Sequence, residues 1–440
     1  MATTDSQGPA RQARAFQLAR RPKLWLFPGI LCGLLAVLLS LLYMGGIVNP
    51  SGHLHRLPIA LVNEDQGPPP PGRTENVGTL LTKAVVAGSP GATVDWKRID
   101  GAGLDDQLSS GKVYGALVVP KDFTAAVTAL VTGRATDRPT LTVLTNPGLG
   151  SLGSSIAAQI AQNAAHQASL ATGKDLLAAV PPATGAPATA PATGPDTGAT
   201  ARLLLADPFA VTTRIGHPIG SHSGLGLSAF YYTLLAVLTA FIGGNIIHSG
   251  VDGALGYADS EIGPWHTRRP TVPISRTQTL LLKMVMTAGI MLVTTSLVLL
   301  CTVGILGMDA PHAAMLWLFA YCASLAVGLG VQAINAAFGG IGQLVSMFVF
   351  IALALPSSGA TVPLQAVPGF YRFLGAFEPM RQLSDGIRAI LFFDARGDAG
   401  LARGWAMIAV GLVLALAFGF AMTRYYDRKG LHRWTPQPSD

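Results

Sequence analysis

The sequence predicts a polytopic α-helical membrane protein with six transmembrane helices, arranged as one plus five, and an α/β extracytoplasmic domain inserted after the first helix. Three observations predict this class. The chain of 440 residues is 50% apolar and only 12% charged, whereas soluble domains have about 25% charged residues. The apolar residues cluster in runs of roughly the 20 residues that a helix needs to cross a bilayer. A long polar stretch, residues 49–224, separates the first run from the other five.

The placement of charge predicts the orientation in the plasma membrane. Residues 49–224 contain twelve Lys/Arg and twelve Asp/Glu, so the net charge of +7 arises beside the apolar runs. That placement argues against nucleic acid as a partner, and positive residues in short loops mark the cytoplasmic side. Both termini are therefore expected in the cytoplasm and residues 49–224 outside it. The basic clusters comprise Arg11, Arg14, Arg20, Arg21 and Lys23; Arg268, Arg269, Arg276 and Lys283; and Arg424, Arg428, Lys429 and Arg433.

The N-terminal part is predicted to anchor the chain. Residues 1–23 form a cytoplasmic segment that ends in an in-plane elbow, and residues 24–48 form the first transmembrane helix. A cleaved signal peptide is the alternative, but the apolar run is too long and lacks a small-x-small site. The three cysteines, Cys32, Cys301 and Cys322, all lie in apolar runs, so neither a disulfide framework nor a zinc spacing is predicted.

Residues 49–180 are predicted to form the α/β domain. The apolar runs Leu57–Val62 and Val113–Val119 are typical of strands buried on both faces. Alternating residues around Trp96 and around Val143 predict strands with one open face. Short periodic segments lie between these strands, and the resulting βαβαβαβ order indicates a largely parallel or mixed sheet. The predicted helices are Thr74–Val86, Leu104–Ser109 and Phe123–Val131.

An alanine-rich stretch, Ser151–Leu177, is predicted to be a stalk-like helix at the end of this domain. Residues 181–224 follow as a linker and return to the membrane. The first part of this linker is Pro/Ala/Thr/Gly-rich and too poor in large apolar residues to fold alone.

Residues 225–423 are predicted to form a five-helix membrane domain, followed by a cytoplasmic tail at 424–440. Between the last two spans, residues 356–400 return outside and predict one or two interfacial helices, because they combine aromatic residues with opposite charges at i,i+3 and i,i+4 spacing. The charged pairs are Glu378/Arg381, Arg381/Asp385 and Asp385/Arg388. The five predicted spans are Leu225–Ile247, Thr279–Leu306, Ala313–Asn335, Ile341–Leu355 and Leu401–Thr423.

Three stretches resemble a known family when taken in order. They read LPIALVNEDQG at residues 57–67, LSAFYY at 227–232, and VPGFY followed by PMRQLSDGIR within 367–388. Together they resemble the YhgE/Pip (phage infection protein) membrane proteins and their nitrosoguanidine-resistance-like relatives, over nearly the whole chain. The resemblance implies a type-2 ABC transporter permease that works as a homodimer or paired permease with a separate cytoplasmic ABC ATPase. The exported domain departs from many relatives, which carry long coiled-coil inserts.

No motif in the sequence predicts catalysis, a cofactor site or a metal site. A P-loop needs a glycine-rich loop ending in Gly-Lys-Ser/Thr, whereas Gly173-Lys174 is followed by Asp175 and lies in the exported part. We therefore expect a non-enzymatic subunit, and the resemblance implies that its partner uses ATP. The predicted function is export of a hydrophobic or amphiphilic compound. The alternative is a surface receptor or scaffold that binds a phage or cell-envelope partner without transport.

Two groups of residues are candidate functional sites. The segment His248–Gln278 is the longest cytoplasmic loop, and the resemblance favours docking on the ATPase over an ordinary positive-inside loop. The interfacial segment is expected to line or cap the outer end of the transport route. The coupling-loop residues are Asp252, Tyr257, Asp259, Glu261, Trp265, Arg268 and Arg269; the outer-gate residues are Phe370, Tyr371, Glu378, Arg381, Asp385 and Arg388.

Overall fold

A computed structural model describes residues 22–70, 73–132, 134, 137–179, 204–267, 269–359 and 361–433. Most of the predicted N-terminal segment, most of the Pro/Ala/Thr linker, Arg268 and the end of the tail lie outside the described residues. The strands are β1 Leu57–Asn63, β2 Val94–Ile99, β3 Gly115–Val119, β4 Thr140–Thr145, β5 Ala210–Ile215, β6 Ser260–Ile262 and β7 Trp265–Thr267. The helices are α1 Pro22–Ile47, α2 Val77–Gly88, α3 Gly101–Ser109, α4 Phe123–Val131, α5 Ser151–Ala179, α6 Ser228–Ala254, α7 Arg276–Leu299, α8 Ala313–Phe338, α9 Gly342–Met347, α10 Ala354–Ser357, α11 Gly369–Phe377, α12 Pro379–Phe392 and α13 Leu401–Arg428.

We keep the name exported domain for the part of the chain that the sequence predicts to lie outside the membrane. This part contains a five-stranded mixed sheet in the order β2-β1-β3-β4-β5. Strand β1 pairs in parallel with β2 and β3, β3 pairs antiparallel with β4, and β4 pairs in parallel with β5. Two of the helices between the strands, α2 and α3, begin at side-chain caps, with Asn76 accepting from the amide of Thr79 and Asp100 from that of Gly103. A short polar cap of this kind satisfies an amide that has no partner inside its own helix.

Both faces of this sheet are covered by helices. Leu61, Leu117 and Leu141 pack on one side with residues of α2, α4 and α5. Val62 and Ala116 pack on the other side with α3. The continuous apolar runs in the central strands are explained by this two-sided burial.

Helix α5 packs against the sheet instead of standing apart as the predicted stalk. Its buried stripe repeats at helical spacing through Ala158, Ala161, Ala165 and Ala168. Because alanine side chains are small, the helix backbone lies close to β3 and β4. The alanine-rich composition that suggested a stalk therefore reflects close packing.

Strand β5 lies in the stretch that was predicted to be only a return to the membrane. It pairs with β4 from Thr140↔Ala210 to Thr145↔Ile215. Its last three residues are exposed, as expected at the edge of a sheet. Its sequence AVTTRI contains four β-branched residues, which favour a strand, but the glycine and turn residues around it favoured a return to the membrane.

Four helices among the described residues are long and apolar enough to cross a membrane. They span Ser228–Ala254, Arg276–Ile305, Ala313–Ala352 and Leu401–Arg428. Helix α1 is also apolar, and its fully described part contains the shorter apolar stretch Cys32–Gly46. The chain is thus mostly helical with one small mixed sheet and a two-stranded hairpin.

The stretch Ala313–Ala352 reverses direction near Gly339, whose φ is 60°. A Cβ added to Gly330 would lie 2.6 Å from Cζ of Phe350. In one straight helix these two residues would be about 30 Å apart. The stretch is therefore a helical hairpin with a long arm, α8, and a short arm that continues from α9 to Ala352.

Helix α8 is the centre of the membrane region, where it packs against α6, α7 and α13. Polar side chains link these helices. Nε2 of Gln332 donates to the carbonyl of Gly244 at 2.8 Å, and Nδ2 of Asn335 donates to Oδ1 of Asn245 at 3.1 Å. Side-chain amides that bond between apolar helices in this way hold the helices together.

Helix α1 contacts the rest of the molecule mainly near its C-terminal end. Leu42 is buried beside Tyr371, and the hydroxyl of Tyr371 donates to the carbonyl of Leu41 at 2.9 Å. Earlier in the helix, Leu34 and Val37 are exposed. The apolar surface of α1 is thus free to face lipid or another helix.

Candidate functional site

A polar cavity of about 250 Å³ lies where the exported domain meets the membrane helices. We call it the junction cavity. Its walls come from the exported domain, from the segment before α11, from α12, and from the start of α13. The charged residues among its lining are Lys112, Arg381, Asp385, Arg388, Asp398 and Arg403.

Helix α12 positions three of these charges. The side chain of Glu378 caps its first turn by accepting from the amide of Arg381 at 3.1 Å, and Pro379 occupies the first helical position. Arg381, Asp385 and Arg388 follow at i, i+4 and i+7, which places them on one face. Burial raises the pKa of Glu378 to about 7, although the amides of Met380 and Arg381 oppose this rise.

Asp385 joins the two arginines of α12. Nη1 of Arg388 donates to Oδ1 of Asp385 at 3.0 Å, and Nε of Arg381 lies 3.8 Å from Oδ2. Burial nevertheless raises the pKa of Asp385 above its usual value, with Arg388 and Arg381 opposing the rise. Nε and Nη2 of Arg388 have no hydrogen-bond partner within the described part of the chain.

Ion pairs hold the exported domain against this end of the bundle. Nζ of Lys112 lies 2.9 Å from Oδ2 of Asp398, and Nη2 of Arg396 lies 2.7 Å from Oδ1 of Asp106. Hydrogen bonds from Arg396 and Lys112 lower the pKa of Asp398 to about 2. The exposed ion pairs therefore stay charged across physiological pH and fix one wall of the cavity.

Tyr114 contributes a neutral donor to the same wall. Its hydroxyl donates to Oε1 of Gln365 at 3.3 Å. Burial raises the pKa of Tyr114 to about 12, so the phenol keeps its proton at every physiological pH.

The opposite face of α12 borders an apolar groove of about 400 Å³. Pro379 and Leu383 contribute to this groove from α12, and Phe350 contributes from the short arm of the hairpin. We call it the membrane groove. Helix α12 therefore separates a charged cavity from an apolar surface, which matches its strongly amphipathic sequence.

The structure brings together only part of the predicted outer gate. Arg381, Asp385 and Arg388 line the junction cavity. Phe370 is exposed on α11, whereas Tyr371 is buried against α1. Glu378 is buried as a helix cap and does not line the cavity.

Asp252, predicted to lie in the coupling loop, is instead buried near the end of α6. Its carboxylate lies 2.6 Å from Nζ of Lys283 and accepts hydrogen bonds from both terminal nitrogens of Arg433 at 2.9 Å. Nε2 of His248 is 3.3 Å away. Asp252 therefore ties α6, α7 and the segment after α13 together and is not available as a docking charge.

Tyr257 also stabilises the fold of the predicted coupling loop. Its hydroxyl donates to the carbonyl of Val272 at 2.6 Å, and its ring lies 4.7 Å from the guanidinium carbon of Arg433. Trp265 differs, because it starts β7 in the hairpin with β6 and is 73% exposed. Asp259, Glu261 and Arg269 are exposed near this hairpin.

Several residues of the junction cavity and of the cluster around Asp252 were not predicted from the sequence. Lys112 and Asp398 are far apart in the chain and meet only through docking of the exported domain. Lys283 looked like a residue at the membrane edge, yet it pairs with Asp252 one helix away. A charged residue within an apolar run costs free energy if it has no partner. The position of Lys283 in such a run could therefore have indicated that it is paired.

Comparisons with known proteins give a family and one partial relative. A family model described as "Protein of unknown function (DUF3533)" matches residues 29–411. The uncharacterized protein YhgE of Bacillus subtilis (strain 168) is 27% identical over 111 residues, which cover 25% of this chain and 14% of that protein. The match thus spans far less than two thirds of the relative's length. No solved structure matches the chain.

Proposed function

The chain belongs to the DUF3533 family of unknown function, and we propose that it is the membrane permease subunit of a type-2 ABC exporter. In this proposal it moves a hydrophobic or amphiphilic compound out of the cell with energy from a separate ATPase. The similarity of one stretch to YhgE supports a YhgE-like membrane protein. The transport role is our own inference from the sites.

The arrangement around α12 carries the proposal. A compound with a polar head and an apolar body needs two adjoining environments near the membrane surface. Helix α12 has the junction cavity on one face and the membrane groove on the other. Such a pair of surfaces suits an amphiphile better than a simple ion or a sugar.

The proposal uses six membrane crossings with both termini in the cytoplasm. The four long helices supply four crossings if the stretch Ala313–Ala352 counts as one candidate. Its reversal divides this stretch into two crossings, and α1 adds the sixth. The basic clusters then lie on the cytoplasmic side, as the positive-inside rule requires.

The β6–β7 hairpin is the docking element for the ATPase in this proposal. It lies beyond the C-terminal end of α6, whereas the junction cavity contacts the N-terminal end of α13. The hairpin and the cavity therefore lie toward opposite ends of α13, whose 28 residues correspond to a length of about 42 Å. Trp265 is the exposed aromatic residue that such an interface would bury.

A receptor or scaffold role remains the second candidate, and one feature of the exported domain favours it. A mainly apolar groove of about 390 Å³ lies between α2 and α5, lined by residues that include Val85 and Ile160. A phage or cell-envelope protein that inserts an apolar side chain could use this groove without any transport.

Capture of an ATPase by the full-length chain tests the proposal. The chain, purified from membranes of its source organism with Trp265 replaced by a photo-cross-linking amino acid, should become linked to an ABC ATPase after illumination. Phe373 is an exposed aromatic residue on α11, and the same replacement there should capture no ATPase. Failure to capture an ATPase at Trp265, with unchanged cellular function after inactivation of the ATPase genes, would favour the receptor role.

A further inference from the structure

We infer that the junction cavity binds a phosphate group, carried either by an anionic lipid headgroup or by a soluble phosphate compound. The inference concerns binding alone. It therefore holds for a permease and for a receptor, and it goes beyond the proposed transport function.

Arg388 is the first observation that points to a ligand. It is only 6% exposed, and only Nη1 of its guanidinium bonds to Asp385, at 3.0 Å. Nε and Nη2 have no partner among the described residues. A buried charged donor without a partner is costly, and an oxyanion that accepts two parallel N–H bonds is the usual partner of an arginine fork.

The balance of charge in the cavity is the second observation. Four cations, Lys112, Arg381, Arg388 and Arg403, face two carboxylates in the lining, which leaves an excess of two positive charges. The carboxylates are already engaged, Asp385 by Arg388 and Asp398 by Lys112 and Arg396. A phosphate monoester carries up to two negative charges near neutral pH and would balance this excess, whereas the phosphodiester of a lipid headgroup carries one and would offset half of it.

The size and the polarity of the cavity fit a phosphate group. A volume of about 250 Å³ corresponds to roughly eight water molecules at about 30 Å³ each. This is sufficient for a phosphate and a short polar substituent. Tyr114 belongs to the same lining and adds a neutral polar side chain, whose one proton is donated to Gln365.

The surroundings allow a lipid headgroup to reach the cavity. Phe370, Phe373 and Phe377 are exposed on α11, immediately before α12. Exposed phenylalanines on one face of an amphipathic helix are typical of a segment that lies in the membrane–water interface. A headgroup at that depth would enter the polar side of α12, and its acyl chains would remain in the lipid.

The test measures lipid and phosphate binding to the purified full-length chain, with no ATPase present. The chain is reconstituted in phosphatidylcholine nanodiscs that contain a minor fraction of phosphatidylglycerol, and retained lipid is measured by mass spectrometry. A parallel titration uses inorganic phosphate in detergent without phosphatidylglycerol. The variants are Arg388→Gln, Arg403→Gln and, as a control of equal charge change on the exposed end of β5, Arg214→Gln.

We expect the wild type and Arg214→Gln to retain phosphatidylglycerol, and the two cavity variants to lose about tenfold or more in affinity, because each removes one charge-assisted interaction. Phosphate binding that is lost in the same variants, without retention of phosphatidylglycerol, would support the site and assign it to a soluble phosphate compound.

Arg403 is exposed, so Arg403→Gln decides the result if Arg388→Gln does not fold. The inference is overturned if neither probe binds the wild type. It is also overturned if folded Arg403→Gln binds both probes as tightly as Arg214→Gln.

Discussion

At the scale of single residues, Asp252 is a buried carboxylate that contacts several titratable side chains at once. Its carboxylate accepts from Lys283 at 2.6 Å and from Arg433 at 2.9 Å. The side chains of Asp252 and Lys283 are only 5% and 4% exposed. Removal of one member of a buried ion pair leaves the other charge without compensation.

We therefore predict that Asp252→Asn lowers the free energy of unfolding by about 3–5 kcal/mol. The measurement is thermal and denaturant unfolding of the detergent-solubilised chain, followed by circular dichroism. Glu261→Gln removes an exposed carboxylate on the hairpin and should change stability little. A loss of similar size in both variants would contradict the assigned role of Asp252.

Glu378 gives a prediction about pH. Its pKa in the folded protein is about 7, against an ordinary value of 4.5, because it is buried. Between these values the folded state keeps a proton that the unfolded state has lost. The free energy of unfolding should therefore fall as pH rises from about 4.5 to 7, by at most about 3 kcal/mol.

Glu378→Gln should flatten this dependence, because a glutamine caps the helix without titrating. The comparison is the pH series of unfolding midpoints for the wild type, Glu378→Gln and Glu261→Gln. An unchanged slope in Glu378→Gln would show that another group causes the dependence.

The sequence predicted part of the junction cavity from local spacing. The i,i+4 and i,i+3 relations among Arg381, Asp385 and Arg388 are confirmed as ion pairs. The predicted pairing of Glu378 with the side chain of Arg381 is replaced by a bond to its amide. Spacing fixes which residues share a helical face, but the identity of the opposing residues, such as Lys112, depends on tertiary docking.

At the scale of elements, α12 and α13 pack closely around one ring. A Cβ added to Gly404 on α13 would lie 2.7 Å from Cζ of Phe319 on α8. Gly386 on α12 also packs directly against this ring. These glycines allow three helices to meet at Phe319.

We predict that Gly404→Ala destabilises the chain by about 1–3 kcal/mol through overpacking. Adding Phe319→Leu should restore part of the loss. The matched control is Gly411→Ala on the same helix, where an added Cβ would meet its nearest atom at 3.7 Å. Unfolding midpoints of the four proteins provide the measurement, and equal effects of the two glycine variants would rule out close packing at Phe319.

The sequence predicted the central strands β1 and β3 well because each is a continuous apolar run. It predicted α5 as a helix but placed it wrongly, since alanine stripes give little information on whether a helix is packed. Strand β5 was missed although Val211, Thr212 and Thr213 favour a strand, because the residues that follow it are rich in glycine and turn formers. A continuous apolar run is therefore easier to recognise than a short polar strand that lies among turn residues.

At the scale of the whole molecule, the chain has a different site at each end of its membrane helices. The junction cavity joins the exported domain to the N-terminal end of α13, and the Asp252 cluster joins α6 and α7 to the segment after α13. The alternation of apolar runs and basic clusters in the sequence predicted that the two ends of the membrane helices differ. The docking of the exported domain through Lys112 and Arg396 could not be predicted, because its partners come from distant segments.

The central claim requires the exported domain and the β6–β7 hairpin to lie on opposite sides of the membrane. The most direct measurement is labelling of single introduced cysteines with an impermeant maleimide, using Ala87→Cys on α2 and Thr267→Cys on β7, both exposed positions. The wild type, with Cys32, Cys301 and Cys322 in apolar segments, measures the background. The account predicts that Ala87→Cys is labelled in intact cells and Thr267→Cys only after permeabilisation. Labelling of Thr267→Cys in intact cells, or of Ala87→Cys only after permeabilisation, would contradict the proposed topology and with it the permease.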